Sequence, residues 1–284
     1  MSTPTYSFEF FPPKTDKGRE RLIGVRNELA QLNPRYFSVT FGAGGSTRDR
    51  TLETVADINT AALDVAPHLS CIASTQHEIQ HLLNHYQELG VTRLVALRGD
   101  RPSGDHARGD FQYASELVTF IRQTTGQHFT IEVAAYPEMH PQAASLDADI
   151  LHFKQKVEAG ADSAITQYFY NIDAYDYFVN RCTQLGVTIP IVPGIMPITN
   201  YSKLARFSDA CGAEIPRWIR KQLAVYQDDS ASIKAFGIDM VTGMCEKLLA
   251  AGAPGLHFYS MNNVEPSRTI WQNLGLVAEM KAAV

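Results

Sequence analysis

Glu9 is the residue near the start of the chain whose type and setting could support acid chemistry. It lies in the run TYSFEFFPPKT, residues 5–15. Side chains alternate along a strand, so Glu9 and the aromatic pair Phe8 and Phe10 face opposite sides. If the aromatic side packs on helices, Glu9 points inward, where burial raises the pKa of a carboxyl and suits it to donate a proton. A structural glutamate paired with an interior arginine or lysine fits the same run equally well.

Further polar side chains lie on or directly after other short β-rich runs. They supply hydroxyl, imidazole, guanidinium, carboxylate and amide groups, at Thr40, His68, Arg98, Asp100, Tyr136, His140 and Gln167. In a barrel of parallel strands the carboxyl ends of the strands meet at one rim, which is where such enzymes place their reactive residues. The pattern therefore indicates a small-molecule site at the rim of a barrel.

The elements that must position these residues follow a repeated βα pattern. Short β-rich runs alternate with stretches of helical period along all 284 residues. The eight strand candidates are Tyr6–Phe11, Tyr36–Thr40, His68–Ile72, Arg93–Leu97, Thr130–Ala135, Ser163–Gln167, Ile189–Val192 and Leu256–Ser260. Eight βα units predict an α/β fold, a (β/α)8 TIM barrel that forms one domain over residues 1–284. Extra helices are expected between strands seven and eight, roughly Ile215 to Leu249.

Two other kinds of site are less well supported by the sequence. A doubly wound sheet would carry G-x-G-x-x-G after its first strand, but that segment reads FFPPKTDKG. A metal-dependent hydrolase would need several histidine and aspartate ligands at strand ends, and His68 and His140 are the candidates. His77, His81 and His85 lie four apart on one helix, on the face opposite its apolar stripe, which predicts a solvated face.

Composition and charge exclude several classes of partner. The formal charge is -5, with 25 Lys and Arg scattered among 30 Asp and Glu. Such a distribution gives no basic patch for nucleic acid or for an anionic membrane, so a small molecule is the expected ligand. Four widely spaced cysteines without a CxxC motif predict reduced thiols, and the N-terminus lacks a secretory signal pattern. We therefore expect a cytoplasmic protein.

The helix predicted after strand five carries a polar stripe that admits two interpretations. In DADILHFKQKVEAGAD, Asp149, His152 and Lys156 recur at helical spacing opposite an apolar stripe. Such a stripe is ordinarily the solvent-exposed face of a surface helix. It could instead supply charges to a ligand site, and the sequence pattern alone leaves both interpretations open.

Eight segments together resemble the bacterial methylenetetrahydrofolate reductases. In chain order they are FEFFPPKT, VTFGAGGSTRDRT, APHLSCI, VALRGDRP, VAAYPEMHP, KVEAGADSAITQYFY, PIVPGIMPITN and LHFYSMN. The resemblance implies a (β/α)8 barrel oxidoreductase that holds FAD non-covalently. It implies reduction of 5,10-methylenetetrahydrofolate to 5-methyltetrahydrofolate by ping-pong hydride transfer, with NADH as the usual bacterial donor. We also expect a homo-oligomer. A folate-binding barrel that receives electrons from a partner subunit is the alternative within the same fold.

The resemblance also implies roles for individual residues. Glu9 would be the general acid that protonates N10 of the folate, and Asp100 would lie near the pterin and tune the flavin as a hydride donor. Gln167 would contact the pterin and the nicotinamide, and Phe207 would pack on both ligands in turn. The positions matching the flavin and nicotinamide site are Thr40, Phe41, Ala43, His68, Arg98, Gly99, Asp100, Ala114, Tyr136, His140, Ala143, Asp149, His152 and Lys156.

One segment departs from the family pattern. Where these reductases usually read Leu-Asn-Arg after strand eight, this chain has Met261, Asn262 and Asn263, so a cation that helps bind folate or NADH is missing. Arg268 lies about one helical turn further along the chain. Arg268 is the obvious substitute, with a guanidinium that reaches back over the rim. If no other cation has taken over the role, Asn263→Arg should instead tighten binding of the folate or of NADH.

Overall fold

A computed structural model describes residues 4–41, 45–99 and 109–276, with no side chains for residues 45–47. Two of the predicted site residues, Ala43 and Asp100, therefore lie outside the described residues. Within the described ranges the strands are β1 Thr5–Phe10, β2 Tyr36–Val39, β3 Val65–Ser70, β4 Arg93–Leu97, β5 Thr130–Ala135, β6 Ser163–Thr166, β7 Ile191–Val192, β8 Gly194–Ile195 and β9 Gly255–Tyr259.

These strands form one parallel sheet that closes into a barrel. The order is β7-β6-β5-β4-β3-β2-β1-β9-β8, and every described pairing is parallel. The two short strands β7 and β8 flank Pro193, and they pair with β6 and β9 respectively. Together they occupy the seventh strand position and join the two ends of the sheet. The predicted (β/α)8 TIM barrel is confirmed.

Helices alternate with the strands and surround the barrel. Within the described part of the chain they are α1 Asp16–Ala30, α2 Gly45–Thr60, α3 Gln76–Glu88, α4 Ala114–Thr125, α5 Leu146–Glu158, α6 Ile172–Gln184, α7 Tyr201–Cys211, α8 Arg217–Tyr226, α9 Ser230–Ala250 and α10 Ser267–Asn273. The extra helices predicted between strands seven and eight are α8 and α9. Across the described ranges, no helix combines the length and the apolar character needed to cross a membrane.

The strands separate an outer apolar layer from a smaller interior one. Phe8 and Phe10 are fully buried on the outer side, where the Phe10 ring stacks on Phe37 with centroids 5.1 Å apart. The inner side is filled by a cluster that includes Tyr36 and Val95. Because side chains alternate, this arrangement turns Glu9 toward the interior of the barrel.

The third and seventh strands differ from their predicted bounds. The third strand begins at Val65, three residues before its predicted start at His68, although Pro67 lacks an N–H for the ladder. All six residues of β3 are buried within the sheet. The seventh strand is interrupted at Pro193, again a residue that cannot donate to a ladder. Burial in the closed barrel outweighs the proline signal in β3, whereas at Pro193 the ladder is interrupted as the missing N–H requires.

Candidate active site

Glu9 lines a small cavity inside the carboxyl end of the barrel. The cavity measures about 130 Å³. It is enclosed by residues from six strands or their carboxyl ends, namely Glu9, His68, Val95, Leu97, Ala134, Tyr136, Ile165, Gln167 and Tyr259. Of these, Glu9 is the carboxylate. The closed sheet therefore brings together polar groups that are as far apart in the chain as Glu9 and Tyr259.

Two histidines flank the Glu9 carboxylate. His68 Nε2 lies 3.4 Å from Glu9 Oε2, and His257 Nε2 lies 3.7 Å from the same atom. Burial lowers the pKa of His68, with Glu9 acting in the opposite direction and His257 reinforcing the decrease. A neutral imidazole therefore lies beside the acid near neutral pH. The Glu9 side chain itself is 19% exposed, so its carboxyl group remains open to the cavity.

The sequence analysis considered an ion pair between Glu9 and an interior arginine or lysine. The structure shows such an ion pair at a different glutamate, Glu132. Arg93 lies 2.6 Å from Glu132, deep in the barrel, where Glu132 also accepts a 2.6 Å hydrogen bond from the Tyr36 hydroxyl. In the described structure, the ion-pair partners within 4 Å of Glu9 are the two histidines. The structural interpretation therefore applies to Glu132, and the Glu9 carboxylate has no arginine or lysine partner in the described ranges.

A second, larger cavity opens at the same rim. Its volume is about 630 Å³, within the range of about 300 to 1,000 Å³ usual for cofactor sites. Leu97, Ala134 and Tyr136 line both cavities, so the two are adjacent. The predicted flavin-site residues that line it are Arg98, Gly99, Ala114, Tyr136, His140, Ala143, Asp149, His152 and Lys156.

The larger cavity also contains residues that the sequence reasoning missed. They are Gln112, Tyr113 and Ser115 around the start of α4, with Gln142 and Gln155 opposite. The sequence offered a signal for the first group. Tyr113 and Ser115 flank Ala114, a predicted site residue at the start of a helix. Side chains at the first turn of a helix after a barrel strand lie at the rim. Gln142 and Gln155 carried no such signal.

Charged groups from α5 face the larger cavity, so the polar stripe on this helix is not a simple exposed face. Asp149 Oδ2 accepts a 2.8 Å hydrogen bond from the backbone N–H of His140. The Lys156 ammonium donates to the carbonyl of Ala134, the last but one residue of β5. Burial lowers the pKa of Lys156 to about 8, with Asp149 raising it and Arg98 lowering it. The stripe supplies a cation and an anion to one wall of the cavity.

Gly99 explains why the chain can turn at the end of β4. Its φ is +84°, and a Cβ at this position would lie 2.0 Å from Ser70 Oγ. Only glycine adopts this conformation at such a close approach without displacing its neighbour. The turn places Arg98 at the wall of the larger cavity, where its guanidinium donates to the Gln142 side chain.

The remaining predicted site residues occupy other positions at the rim. His68 and Gln167 line the small cavity and not the large one. Thr40 and Phe41 follow β2 and, as the structure describes them, line neither cavity. Phe207 on α7 is likewise absent from both linings and is 51% exposed. Phe207 is therefore not a core residue, and it is accessible at the protein surface.

Arg268 does not reach back over the rim in the described structure. Its guanidinium donates to Glu28 on α1 and to Glu265, both at 2.9 Å, so two carboxylates hold it away from the cavities. The cation beside Asn263 is instead Arg21, whose guanidinium donates to Asn263 Oδ1 at 2.8 Å. Arg268 was chosen because it is near Asn263 in the chain. In the closed barrel α1 packs beside the loop after β9, and this packing brings Arg21 to Asn263.

The described residues contain no group of three or more His, Cys, Asp or Glu side chains that could hold a metal ion. The four cysteines are free, and Cys71, Cys182 and Cys245 are buried.

Comparisons with known proteins identify the relatives of this chain. The profile of the methylenetetrahydrofolate reductase family matches residues 1–275. The chain is 39% identical to 5,10-methylenetetrahydrofolate reductase of Escherichia coli, over 95% of this chain and 90% of that protein. It is 40% identical to methylenetetrahydrofolate reductase (NADH) 1 of Arabidopsis thaliana, over 97% of this chain. The chain spans 49% of the length of that plant relative.

A solved structure shares the fold at low sequence identity. An uncharacterized protein from Clostridium thermocellum that binds two copies of 5-methyl-5,6,7,8-tetrahydrofolic acid superposes with a TM-score of 0.67 at 17% identity. The superposition covers 97% of this chain and 94% of that one. At this identity the likeness establishes the barrel alone. The match of the family profile over nearly all of the sequence goes further, and it places the chain in the methylenetetrahydrofolate reductase family.

Proposed function

We propose that this protein reduces 5,10-methylenetetrahydrofolate to 5-methyltetrahydrofolate, with FAD as its bound cofactor and NADH as the electron donor. The observation that carries the proposal is the adjacency of the two cavities. A small cavity with one carboxylate, Glu9, adjoins a cavity of cofactor size whose wall carries Arg98 and Lys156. Acid chemistry on one molecule beside a large anionic cofactor is what this reaction requires.

The residues of the larger cavity fit FAD. Two cations, Arg98 and Lys156, suit a pyrophosphate, and the Asp149 carboxylate suits ribose hydroxyls. When bound, FAD supplies the hydride chemistry, accepting hydride from the donor and passing it to the folate. The chain itself binds the cofactor, orients it beside the small cavity and excludes water from the buried wall.

Glu9 acts as the general acid for the folate. Opening of the five-membered ring breaks the bond between the methylene carbon and N10, and the electron pair of that bond stays on N10. The Glu9 carboxyl proton then passes to N10, which leaves a carboxylate in the cavity. Neutral His68 beside it does not form the permanent ion pair that would hold Glu9 ionised throughout.

Gln167 positions the substrate on the opposite wall of the small cavity. Its side-chain Oε1 accepts a 3.0 Å hydrogen bond from the N–H of Tyr168, which sets the orientation of the amide. With the oxygen used in this way, the NH₂ group is directed to donate to an acceptor in the cavity, such as a pterin carbonyl or a nicotinamide carbonyl. Asp100 and Phe207 complete the proposed folate site.

Glu9→Gln tests this function. We expect reduction of the flavin by NADH to remain within about threefold of wild type, and oxidation of the reduced flavin by the folate to fall by at least about a hundredfold. Removal of a general acid ordinarily costs roughly 10² to 10⁴ in rate, and an amide of the same shape cannot donate the proton. Anaerobic stopped-flow absorbance measures the two half-reactions separately.

Glu138→Gln is the matched control for Glu9→Gln, because it makes the same substitution at another glutamate of the same rim. Glu138 lines neither described cavity, and it accepts the N–H of Glu214 at 2.8 Å, a bond that glutamine also accepts. Both half-reactions should remain near wild type in this variant. Equal loss of both half-reactions in Glu9→Gln would overturn the role of Glu9. Failure of both NADH and NADPH to reduce the wild-type flavin would favour electron delivery by a partner subunit.

The proposal extends to a cytoplasmic homo-oligomer built from one catalytic domain over residues 1–284. The reduced cysteines are consistent with the cytoplasm. The oligomer follows from the family resemblance, and sedimentation velocity of the FAD-loaded protein measures it directly.

A further inference from the structure

Arg21 carries a guanidinium at the rim of the barrel that no carboxylate of the described residues neutralises. It lies in the second turn of α1, the helix that follows β1, and it is exposed. Its guanidinium donates to Asn263 Oδ1 at 2.8 Å, a neutral acceptor in the loop after β9. Because a guanidinium has five N–H donors, this contact leaves most of the donors and the whole charge available to a ligand.

The neighbouring arginines on this side of the barrel are neutralised. Arg19 lies 2.6 Å from Asp57, and Arg268 lies 2.9 Å from both Glu28 and Glu265. The guanidinium bound to Asn263 has no such ion pair in the described part of the chain. It is therefore a cation that an anionic ligand can approach without displacing a carboxylate.

Hydrogen bonds connect the loop that holds this cation to the end of β1. Ser260 Oγ donates to the backbone carbonyl of Glu9 at 2.6 Å. The Asn262 amide accepts from the N–H of Phe11 at 3.0 Å and donates to its carbonyl at 2.8 Å. The N–H of Asn263 donates to the carbonyl of Ser260 at 3.0 Å. The loop after β9 is thus fixed to the strand that carries Glu9, and it holds the guanidinium at the same sector of the rim.

Two exposed apolar side chains lie on this sector. Phe11 is 43% exposed, and by alternation along the chain it faces the same side as Glu9, roughly 7 Å further toward the rim. Met261, in the loop after β9, is 37% exposed. An aromatic ring and a thioether both pack favourably against an aromatic ligand. The sector therefore presents an acid, then an apolar surface, then a cation.

From this arrangement we infer that Arg21 binds the glutamate carboxylates of the folate and that Phe11 and Met261 contact its benzoyl ring. The inference rests on the proposed function. A reduced folate consists of a pterin, a p-aminobenzoyl group attached through N10, and a glutamate with two carboxylates. With N10 at Glu9, the benzoyl ring extends past the apolar pair and the glutamate reaches the guanidinium, which can bind a carboxylate through two parallel hydrogen bonds.

Asn263 is the positioning residue for this contact. Its amide orients the guanidinium but carries no charge, so the cation is held in place without being neutralised. The charge that is missing from position 263 is in this way supplied by α1. The apolar pair favours folate over NADH as the occupant, because NADH has a ribose with polar hydroxyls between its nicotinamide and its phosphates.

The test changes the ligand as well as the protein. The probes are 5-methyltetrahydrofolate and its diamide, in which both glutamate carboxylates are replaced by neutral amides. Each is titrated into the FAD-loaded protein in the Glu9→Gln background, which prevents turnover, and the change in flavin absorbance gives the dissociation constant. With Arg21 present the acid should bind about fivefold more tightly than the diamide, the effect of an ion pair at an exposed site.

Arg21→Gln should abolish this preference. Glutamine retains a donor for Asn263 but has no charge, so the acid should bind as weakly as the diamide, and the diamide should bind as before. Such a cycle isolates the pair from any general effect of the substitution on the fold. Arg21→Lys should recover part of the preference, because an ammonium keeps the charge and loses the paired donors.

Arg26→Gln is the matched control on the same helix. Arg26 donates to the carbonyl of Asp57 at 2.7 Å and to the Asn27 side chain, so its removal takes the same charge from α1 at another place. The preference for the acid should remain about fivefold in this variant. The dissociation constant of NADH should be unchanged in both glutamine variants.

A preference for the acid that persists in Arg21→Gln would overturn the inference. Weaker binding of NADH with unchanged binding of both folate probes would also overturn it, and would assign the cation to the donor. Failure of the proposed function is recognised separately, because the protein with Arg21 intact would then bind neither probe and methylenetetrahydrofolate would not oxidise the reduced wild-type flavin. That result would remove the role of Arg21 as well.

Discussion

Lys156 shows how much the setting of a single residue changes its chemistry. On an exposed helix face a lysine is cationic to beyond pH 10. Here the ammonium donates to the Ala134 carbonyl at the wall of a cavity, and burial lowers its pKa to about 8. Asp149 and Arg98 act on it in opposite directions. The charge of Lys156 therefore changes within an accessible pH range. Any contact between this charge and a phosphate changes with it.

The affinity for FAD should depend on this titration. Below about pH 8 Lys156 is cationic and attracts the pyrophosphate; above it the neutral amine does not, so affinity should fall as pH rises. The loss should approach tenfold per pH unit at most, the limit for coupling to one proton. Quenching of FAD fluorescence at several pH values between 7 and 9.5 would measure it.

Two variants distinguish an effect of Lys156 itself on FAD affinity from an effect of the total charge of α5. Lys156→Met should bind FAD more weakly at pH 7 and show little further change up to pH 9.5. Lys154→Met should behave as the wild type, because Lys154 pairs with Glu158 on the same helix and does not line the cavity. The role of Lys156 would be refuted by wild-type pH dependence in Lys156→Met.

At the scale of elements, the interrupted seventh strand shapes the small cavity. Gly194 in β8 donates its N–H to Thr166 Oγ1 at 2.9 Å, and the Tyr259 hydroxyl donates to the Thr166 carbonyl at 2.8 Å. A Cβ on Gly194 would lie 2.2 Å from that carbonyl oxygen and 2.7 Å from the Tyr259 ring. The strand therefore needs glycine for close approach, and Tyr259 is held against the wall of the cavity.

Gly194→Ala should destabilise the barrel and displace Tyr259. Overpacking against backbone costs typically 1–3 kcal/mol, so we expect the free energy of unfolding to fall by about that amount. Gly243→Ala on α9 is the control, because a Cβ there meets nothing within 4 Å. Replacement of a helical glycine by alanine should stabilise by roughly 0.5–1 kcal/mol. Urea unfolding of the three proteins compares these values, and wild-type stability in Gly194→Ala would contradict the close-packing argument.

At the scale of the whole molecule, the larger cavity joins several elements through one ligand site. Its lining comes from β4, the start of α4, the end of β5 with the loop after it, and α5. These elements are neighbours in the barrel but are joined in the chain by loops. A ligand that contacts all of them is bound by the folded state and not by the unfolded chain, so binding is linked to the stability of the entire fold.

FAD should therefore raise the free energy of unfolding of the apoprotein. At a free concentration of a hundred times the dissociation constant the gain is about 2.7 kcal/mol. Riboflavin at the same concentration should stabilise less, because it lacks the phosphates that Arg98 and Lys156 are proposed to hold. Urea midpoints measured with each ligand test this. Equal stabilisation by both ligands would mean that the two cations do not contact the pyrophosphate.

The sequence by itself determined the order and type of the elements and the rim on which polar groups meet. The local signals are the alternation in the first strand, the helical stripes after the strands and the eightfold repeat of one βα unit. Few folds other than a parallel barrel accommodate all of them. The resemblance then singled out residues such as Arg98, Asp149 and Lys156, and these do line one cavity. The start of β3 was less predictable, because burial within the barrel allows this strand to include Pro67.

Only the tertiary structure decided which groups face one another. The α5 stripe could have faced solvent, and its place on a cavity wall depends on how α5 packs beside β5. Arg268 lies close to Asn263 in the chain, yet it pairs with Glu28, whereas Arg21 reaches Asn263. The contact between Ser7 and His257 joins residues 250 positions apart. No local period encodes such pairs, because they arise when the first and last strands of the chain, β1 and β9, pair side by side in the sheet.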